Sequence, residues 1–479
     1  MSETEIFDRD DHPGAPRILF IGSAQSSHTH AWMQLLDGTG LNARLFSPIG
    51  DDQLPPADFA PRCYFTIPGL RLNTANRRNL LAAPADAAED ALAGAKPERL
   101  RQVLAVAEQR GMAREQLRDY RLTRGQRARG MLRQLRRLLL PLPVPPGLLA
   151  GQPLPWLPPM PLAVDLMPHG PTTAEAALLE VIKHWRPDIV HTFGFFDAGR
   201  WFHDIHRRHG LAGKLRWVIQ FRGGSDLSIR RHIPARRNAI IAAAQDADLV
   251  VNDNLTERDY LRAWGIPPER FATLTPVPGS GGVEVPASLE ALTPTSARDV
   301  ILWPKAYSIQ TAQGLPVLEA LRLAWDRLPP CRIVMLWAMQ PDFLEWVEAL
   351  PPPLRAACEV HDRVSRSEVF TLLRQARVLL APSLADGRPN VLFEAGVSGA
   401  VPILSPIPTI TEFVTHEHAL FARNLYPEEI AEALVRAMTD DALVDRLAAA
   451  NLELVRRVAD RTAIAPQVQA FYRGLAAAG

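Results

Sequence analysis

Short apolar segments alternate with amphipathic segments of helical length along most of the chain, and this alternation restricts the possible folds more than any other feature. The apolar segments occupy residues 17–23, 42–48, 188–194, 215–223, 247–253, 299–305, 332–338, 358–364, 378–383 and 400–406. Strands that alternate with helices form parallel sheets with helices on both faces. We therefore predict an α/β protein.

A segment rich in proline, glycine, serine and threonine divides the alternation into two series at residues 275–299. The length of 479 residues also favours two domains over a single core. We predict a Rossmann-like domain over residues 1–280, a second over residues 298–455, and a C-terminal helix at 456–479 that packs back on the first domain. Ligands of such folds bind beyond the C-terminal ends of the strands, so two facing domains would hold the site in the cleft between them.

An insertion at about residues 76–168 interrupts the first series. The segment bounded by Arg114 and Arg137 carries nine arginines against Glu115 and Asp119, a net charge of +7. The apolar residues 138–164 contain nine prolines, which exclude a membrane-spanning helix. Two interpretations stay open: a basic helix that binds anionic lipid, and a solvated arm whose proline-rich end wraps its own domain.

The charges of the whole chain are balanced, which limits the classes of partner. Lysine and arginine number 53, and aspartate and glutamate number 52, so no overall field attracts nucleic acid. Cys63, Cys331 and Cys358 lack the paired spacing of a zinc site and are typical of a reducing compartment, and we assign them no chemistry. The N-terminus lacks the basic and apolar regions of a secretory signal. We predict a cytoplasmic protein, with peripheral association at the inner face of the membrane if the insertion binds lipid.

The most informative stretch runs from residue 383 to residue 406, SLADGRPNVLFEAGVSGAVPILSP. Gly387 permits a backbone conformation that a side chain would forbid, and a proline such as Pro389 suits the first turn of a helix. We therefore predict a helix that begins near Arg388 or Pro389. Its first free amides, at Asn390 and Val391, would bind a diphosphate without a metal ion.

Two carboxylates flank this predicted helix start. Asp386 lies just before it and Glu394 lies about a turn and a half inside it, so both would line one wall of the cleft. Carboxylates accept hydrogen bonds from sugar hydroxyls, and a carboxylate in the apolar surroundings of Glu394 is unfavourable unless it is paired or bound. The residues alone also allow a simple turn at Asp386 and a salt bridge between Glu394 and an arginine.

Residues 382–406 resemble the signature of the family 4 retaining glycosyltransferases, in which an acidic residue, a glycine and a proline precede a second acidic residue and a G-x-P-V strand. Residues 22–36, 186–194, 222–227, 246–254 and 364–383 resemble other motifs of that family in the same order. The resemblance implies the GT-B fold of two facing Rossmann-like domains. It also implies that the second domain binds a nucleotide sugar.

The resemblance assigns roles to several residues. Glu394 would accept the ribose hydroxyls and Asp386 would face the donor sugar. Lys305 would neutralise the phosphate as the leaving group departs. The diphosphate would be held by Gly387, Arg388, Asn390 and Val391, with Gly22 and Ser23 from the first domain.

The predicted second domain departs from the family pattern at three places. The first acidic residue is Asp386, where the family usually has glutamate. A second phosphate-binding lysine usually precedes the glycine of the next helix, but Gln313 occupies that position. Arg363, Arg366 and Arg388 are candidates to replace the missing charge. The usual G-x-G turn appears as WAMQP at residues 337–341.

Four polar residues of the first domain are candidates for the acceptor side. His191 lies at a strand end and would act in catalysis, or would be a hydrogen-bonded structural residue. His28 and His30 open the first helix and would bind the acceptor or cap that helix. Asp226 would contact the acceptor or cap the helix that follows it.

The resemblance implies a retaining, metal-independent transfer of a hexose-like sugar from a nucleoside diphosphate sugar to a hydroxyl group, with no further cofactor. The acceptor would be a glycan or a lipid-linked glycan, as in polysaccharide biosynthesis. The alternatives are a sugar-nucleotide epimerase or hydrolase on the same scaffold, and a catalytically silent subunit that docks a membrane-associated complex. The sequence does not identify the nucleobase, the sugar or the acceptor.

Overall fold

The computed structural model describes residues 10–23, 26–47, 63–65, 173–222, 225–274, 276–362 and 364–477. Contacts divide the chain into two compact units. The first consists of Met1–Gln25 and Asn42–Pro187, and the second of Ser26–Leu41 and Asp188–Gly479. The insertion predicted at residues 76–168 lies outside the described residues.

The described elements alternate as the sequence predicts. The strands are β1 (Arg17–Ile21), β2 (Asn42–Ser47), β3 (Cys63–Phe65), β4 (Ile189–Phe193), β5 (Arg216–Phe221), β6 (Leu249–Asn252), β7 (Val300–Trp303), β8 (Arg332–Met335), β9 (Cys358–Val360), β10 (Ala376–Ala381), β11 (Val401–Leu404) and β12 (Leu420–Phe421). The α-helices are α1 (Ser27–Met33), α2 (Thr173–Trp185), α3 (Arg200–Arg208), α4 (Pro234–Asp246), α5 (Leu255–Ala263), α6 (Gly314–Ala324), α7 (Pro341–Glu348), α8 (Pro352–Ala357), α9 (Arg366–Gln375), α10 (Asn390–Ser398), α11 (Pro408–Thr411), α12 (Pro427–Thr439), α13 (Asp441–Ala459) and α14 (Arg461–Ala477).

The first unit contains β1, β2, β3 and α2. Strand β1 pairs in parallel with β2, and β2 pairs in parallel with β3. The guanidinium of Arg17, at the start of β1, donates to the carbonyl of Trp185 at 2.7 Å and pairs with Asp10 at 2.7 Å. These bonds fix the end of α2 against the start of the sheet strand.

The first three strands of the second unit are β4, β5 and β6, and they pair in parallel. His191 of β4 is in register with Val218 of β5, which is in register with Leu249 of β6. All five residues of β4 are buried. Buried parallel strands are typical of sheets covered by helices on both faces.

The second sheet carries the features that position the site. Its strand order is β12-β11-β10-β7-β8-β9, and its pairs are parallel. Successive residues of β7 pack into different apolar clusters: Ile301 and Trp303 belong to one, and Val300 and Leu302 to the other. Side chains alternate across a strand, so the two clusters cover opposite faces of the sheet. The order reverses between β7 and β10, which is where such sheets bind ligands.

The segment predicted as a linker is joined by hydrogen bonds to the end of α13. The N–H of Val283 donates to the carbonyl of Ala459 at 2.9 Å, and the N–H of Arg461 donates to the carbonyl of Val283 at 2.8 Å. Gly282 has a φ of +83°, and a Cβ there would lie 2.3 Å from the Ala459 oxygen. Only glycine fits this position, because both the conformation and the approach exclude a side chain.

The C-terminal helix α14 packs on α1 within the second unit. The guanidinium of Arg461 donates to the carbonyl of Ala31 at 2.6 Å, and the amide of Gln469 donates to the carbonyl of Leu35 at 2.8 Å. The indole N–H of Trp32 donates to the hydroxyl of Tyr472 at 2.9 Å. These contacts join residues more than 400 positions apart in the chain.

Two strands, β3 and β12, are absent from the sequence prediction. They have three and two residues, which is too short for an alternating or continuous apolar pattern to be recognised. The other differences are shifts of one to a few residues at strand ends. Within the described part of the chain, no helix has the length and apolar character that crossing a membrane requires.

Candidate active site

The candidate site lies beyond the C-terminal ends of β7 and β10, where the strand order of the second sheet reverses. Lys305 follows the end of β7 by two residues, and the loop of residues 382–389 connects β10 to α10. A cavity of about 410 Å³ lies here, and both segments contribute to its wall. His28, Arg222 and Asp253, from earlier parts of the same unit, also line the wall.

The N-terminus of α10 faces this cavity. Pro389 is the N-cap residue, has no N–H of its own, and forms no side-chain cap within the described structure. Asn390 and Val391 lie in the cavity wall. The side chain of Asn390 is held by Ser280, whose hydroxyl donates to it at 2.6 Å, and its amide nitrogen lies 3.2 Å from Nδ1 of His28. The first amides and the positive end of the helix dipole therefore suit an anion.

Lys305 and Asp386 form an ion pair between the two loops. Their side chains are 29% and 16% exposed, so the pair is accessible from the cavity. Burial lowers the pKa of Lys305, but Asp386, together with Tyr307, raises it above the ordinary value, and the ammonium stays charged at neutral pH. Asp386 also accepts the N–H of Gly387 at 3.1 Å, and its carbonyl accepts the hydroxyl of Thr409 at 2.6 Å. The pair is thus held by a fixed loop.

Glu394 lies in the cavity wall and is only 8% exposed. Nε of Arg366 donates to its Oε1 at 3.0 Å. Burial raises the pKa of Glu394, and the charge of Arg366 opposes that rise. The structure therefore contains the salt bridge that the residues alone allow, and it also places Glu394 in the cavity wall.

Arg388 is engaged by a carboxylate that the sequence did not reveal. Nη2 of Arg388 lies 3.4 Å from Oε1 of Glu412, and its guanidinium lies 4.7 Å from the centre of the Phe413 ring. Burial lowers the pKa of Arg388, with Glu412 acting in the opposite direction. Glu412 also accepts the backbone N–H groups of Leu255 and Thr256 at the start of α5, each at 3.0 Å. Glu412 therefore joins the loop before α10 to the N-terminus of α5.

Comparison with protein families identifies the region around this cavity. Residues 307–440 match the family model described as glycosyl transferases group 1. Residues 307–440 are therefore similar to a group 1 glycosyltransferase domain. This match confirms the predicted recognition of a glycosyltransferase. It also supports glycosyl transfer as the general activity. No curated protein matches the chain at a significant level.

Solved structures resemble this chain over nearly its whole length. Sucrose-phosphate synthase from Thermosynechococcus elongatus has a TM-score of 0.59 and 15% identity, over 97% of this chain and 100% of that one. Anabaena HepE in complex with UDP-glucose has a TM-score of 0.55 and 11% identity, over 95% and 99%. Trehalose 6-phosphate synthase from Burkholderia multivorans has a TM-score of 0.53 and 16% identity, over 97% and 99%. These likenesses confirm the predicted GT-B fold.

Gln313 occupies the position of the family's second phosphate-binding lysine, but it does not supply the positive charge. Its side-chain amide donates to the carbonyl of Ile309 at 2.8 Å, and its backbone N–H donates to Asn424 at 3.0 Å. Of the predicted substitutes, Arg366 is paired with Glu394, Arg388 with Glu412, and Arg363 lies outside the described residues. Arg388 nevertheless lies in the cavity wall, whereas Arg366 acts through Glu394.

Arg222 is a further cation in the cavity wall, and it was missed by the sequence reasoning. Nε of Arg222 donates to the side-chain oxygen of Gln220 at 3.1 Å. The guanidinium lies 3.9 Å from the centre of the Phe193 ring. Residues 222–227 resemble a family motif, and the sequence indicates a role in it for Asp226 but none for Arg222.

His191 is fully buried and does not line the cavity. Its Nδ1 lies 2.6 Å from the hydroxyl of Tyr472. Burial, followed by the charge of Arg222, lowers the pKa of His191 well below the ordinary value, so the ring is neutral. The position of His191 supports the structural alternative and gives no support to a catalytic role.

Asp226 is also buried, and it organises two loops instead of contacting the cavity. Its carboxylate accepts the N–H groups of Phe195 at 3.0 Å, Phe196 at 3.3 Å and Arg222 at 3.0 Å. The sequence predicts that the Asp226 side chain caps the helix that follows it. In the structure the carboxylate instead accepts these hydrogen bonds from residues that precede it. Through Arg222, Asp226 helps to fix a wall of the cavity.

Of the remaining predicted site residues, some lie in the cavity wall and others lie outside it. His28 lies in the cavity wall, whereas His30 is half-buried in α1 and lies outside the wall. Gly387 does not have the positive φ expected for it, so the argument from glycine's special backbone freedom is wrong there. Gly22 and Ser23 belong to the first unit, where the N–H of Gly22 donates to the carbonyl of Phe46 at 3.2 Å. Their contact with a diphosphate stays a prediction.

Proposed function

We propose that this protein is a retaining glycosyltransferase that moves a sugar from a nucleoside diphosphate sugar to a hydroxyl of a glycan or lipid-linked acceptor. One observation carries the proposal. The charged ammonium of Lys305 and the uncapped N-terminus of α10 meet in one cavity at the reversal point of the sheet. Such a site suits a ligand with several negative charges at one end.

The proposed chemistry requires the site to stabilise a leaving group. As the bond between the anomeric carbon and the diphosphate oxygen breaks, negative charge grows on the phosphate. Lys305 and the amides of Asn390 and Val391 would stabilise that charge, and one preorganised donor of this kind contributes about 3 kcal/mol or more. The acceptor oxygen forms the new bond on the same face of the sugar, and its proton passes to the departing phosphate. No protein base is required, and His191 lies outside the cavity wall.

The donor side is supported by the carboxylates and by a solved relative. Asp386 and Glu394 are hydrogen-bond acceptors in the cavity wall, as recognition of donor hydroxyls requires. HepE, which shares the fold at 11% identity, was solved with UDP-glucose. On those two grounds we propose that the donor of this protein is also a nucleotide sugar.

A binding screen followed by a transfer assay tests the proposal. Uridine, guanosine and adenosine diphosphates should be compared for their effect on the melting temperature, because a ligand that binds only the folded state raises it. The sugar nucleotide of the stabilising base is then supplied with glycan acceptors, with and without EDTA. We expect transfer that retains the anomeric configuration and is insensitive to EDTA. Turnover of donor without any acceptor would indicate the hydrolase or epimerase alternative, and absence of nucleotide binding would contradict the proposal.

Association with a membrane surface is the part of the proposal that depends on the basic insertion. The segment between Arg114 and Arg137 lies outside the described residues, and its charge of +7 is the ground for the proposal. We expect the protein to sediment with vesicles that contain anionic lipid, and to be released by salt. A variant with these arginines replaced by glutamine should stay in the supernatant. Equal sedimentation of the two proteins would contradict lipid binding by this segment.

A further inference from the structure

Trp337 has a backbone conformation that its side chain disfavours. Its φ is +61°, and Arg186 is the other non-glycine residue with positive φ in the described part of the chain. In this left-handed region the Cβ of an L-residue crowds the following carbonyl oxygen, so glycine is the usual occupant. A bulky residue in such a conformation persists only where the surrounding structure imposes it, and such strain clusters at functional sites.

The residues on either side of Trp337 impose the conformation. The N–H of Leu336 donates to the carbonyl of Trp303 at 2.9 Å, and the carbonyl of Leu336 accepts the N–H of Ala306 at 3.0 Å. The N–H of Ala338 donates to the carbonyl of His361 at 3.2 Å. Leu336 and Ala338 are both fully or almost fully buried. The backbone is therefore fixed before and after Trp337.

The consequence is that a large aromatic side chain points outward at the cavity. Trp337 lies in the cavity wall, yet 48% of its surface is exposed. A glycine would satisfy the backbone without strain, so the backbone does not explain why tryptophan is present. Burial in the core does not explain it either, because half of the indole faces solvent. The indole is placed where a ligand in the cavity would cover it.

The cavity wall combines apolar and charged groups. Trp337 shares the wall with the apolar Leu336, Pro304 and Val369. The charged part of the wall contains Lys305 and the N-terminus of α10. A nucleoside diphosphate combines the same two chemistries, because it has a flat aromatic base and a charged diphosphate.

We propose that the indole of Trp337 stacks on the base of the nucleoside diphosphate whose phosphates bind at Lys305 and the start of α10. The inference rests on the proposed function of this cavity and adds a residue to it. Aromatic side chains bind bases through their flat faces, and this stacking tolerates different bases because every base has such a face. Trp337 thus contributes affinity for the nucleotide, while the choice of base belongs to other groups in the wall.

Isothermal titration calorimetry with three variants of the full chain tests this inference. Trp337→Gly removes the ring and relieves the strain, Trp337→Phe keeps an aromatic ring, and Met339→Ala is the matched control. Met339 is 50% exposed on the same loop but lies outside the cavity wall. The ligands are inorganic pyrophosphate, the nucleoside diphosphate that binds the wild-type protein most tightly, and its sugar derivative.

We expect Trp337→Gly to weaken binding of the nucleoside diphosphate by about 5- to 150-fold, the range given by stacking on one aromatic side chain. Binding of pyrophosphate should be unchanged, because pyrophosphate has no base. Trp337→Phe should retain most of the affinity, and Met339→Ala all of it. The melting temperature of Trp337→Gly should stay close to that of the wild type, since relief of strain offsets the greater freedom of glycine in the unfolded chain.

Three results would overturn the inference. Equal losses for pyrophosphate and the nucleoside diphosphate would show that Trp337 only supports the loop. A loss confined to the sugar derivative would place the donor sugar, not the base, on the indole. Unchanged binding of all ligands would place the base elsewhere, although the proposed function would stand. If the wild-type protein binds no nucleoside diphosphate, the proposed function itself fails.

Discussion

Two titratable residues that the sequence predicts at strand ends, His191 and Lys305, have opposite environments, and the structure places His191 in the middle of β4. His191 of β4 is fully buried, bonded to the neutral hydroxyl of Tyr472, and its pKa is lowered by burial and by Arg222. Lys305, just after β7, is 29% exposed and paired with Asp386, which helps to raise its pKa. Burial beside a neutral partner removes charge, whereas a carboxylate at a cavity surface preserves it. A strand-end position predicted from the sequence is therefore insufficient to define a catalytic residue.

The largest effect should come from Lys305. Lys305→Ala removes a charge that stabilises the departing diphosphate, and we expect the rate of transfer to fall by about 100- to 1000-fold. Lys214→Ala, which changes an exposed lysine outside the cavity wall, is the control and should keep full activity. The measurement is kcat with the cognate sugar nucleotide. If kcat of Lys305→Ala fell by less than a factor of ten, Lys305 would have no larger catalytic role than His191.

Glu394 tests the donor side of the same cavity. Glu394→Ala removes an acceptor for sugar hydroxyls and leaves Arg366 without its partner, so the affinity for the nucleoside diphosphate should fall by about 10- to 100-fold. Calorimetry with the nucleoside diphosphate gives this value, and Glu428→Ala, at an exposed position of α12, is the control. Wild-type affinity in Glu394→Ala would reduce Glu394 to a structural salt bridge.

Glu257 extends the comparison to a buried acid near the cavity. Burial, followed by the charges of Asp253 and Asp226, raises its pKa well above the ordinary value. The folded protein then binds a proton that the unfolded chain releases, so this contribution to stability is complete below about pH 4.5 and is lost as the pH rises. We expect Glu257→Gln to raise the free energy of unfolding at pH 8 by about 1 kcal/mol or more, and by less at pH 5. Exposed Glu269→Gln is the control, and a gain that does not depend on pH would contradict this explanation.

The smallest effect on catalysis should come from His191. We expect His191→Gln to lower the free energy of unfolding by about 1 kcal/mol through the bond to Tyr472, and to leave kcat almost unchanged. Because the pKa of His191 is lowered in the folded state, its contribution is present above about pH 6.5 and is lost as the pH falls below that value. Denaturant titrations between pH 5 and pH 8, values chosen to span about 6.5, should therefore show a weaker pH dependence in the variant. A loss of kcat as large as that of Lys305→Ala would restore a catalytic role.

The same contrast shows how much of this protein the sequence could predict. The start of α10 depends on a local run of glycine, arginine and proline, so its position was predicted to within one or two residues. The fate of His191 depends on Tyr472, which lies 281 positions later in the chain. Glu412 reaches the N-terminus of α5 across 157 positions. Patterns of neighbouring residues carry information about the first kind of feature but not about the other two.

Trp337 shows a third kind of limit. The sequence WAMQP, at residues 337–341 where the family usually has a G-x-G turn, indicates a departure from the family pattern but assigns no role to Trp337. The structural features that single out Trp337 are its positive φ, its half-exposed side chain and its position in the cavity wall. Backbone strain at a single residue leaves no periodic signal in a sequence.

The central claim is that the ammonium of Lys305 and the first amides of α10 bind the diphosphate of a sugar nucleotide. A crystal structure of the protein with the nucleoside diphosphate that stabilises it most would test this directly. We predict phosphate oxygens within hydrogen-bonding distance of the Lys305 ammonium and of the N–H groups of Asn390 and Val391. A nucleotide bound elsewhere, with Lys305 still paired only to Asp386, would contradict the claim.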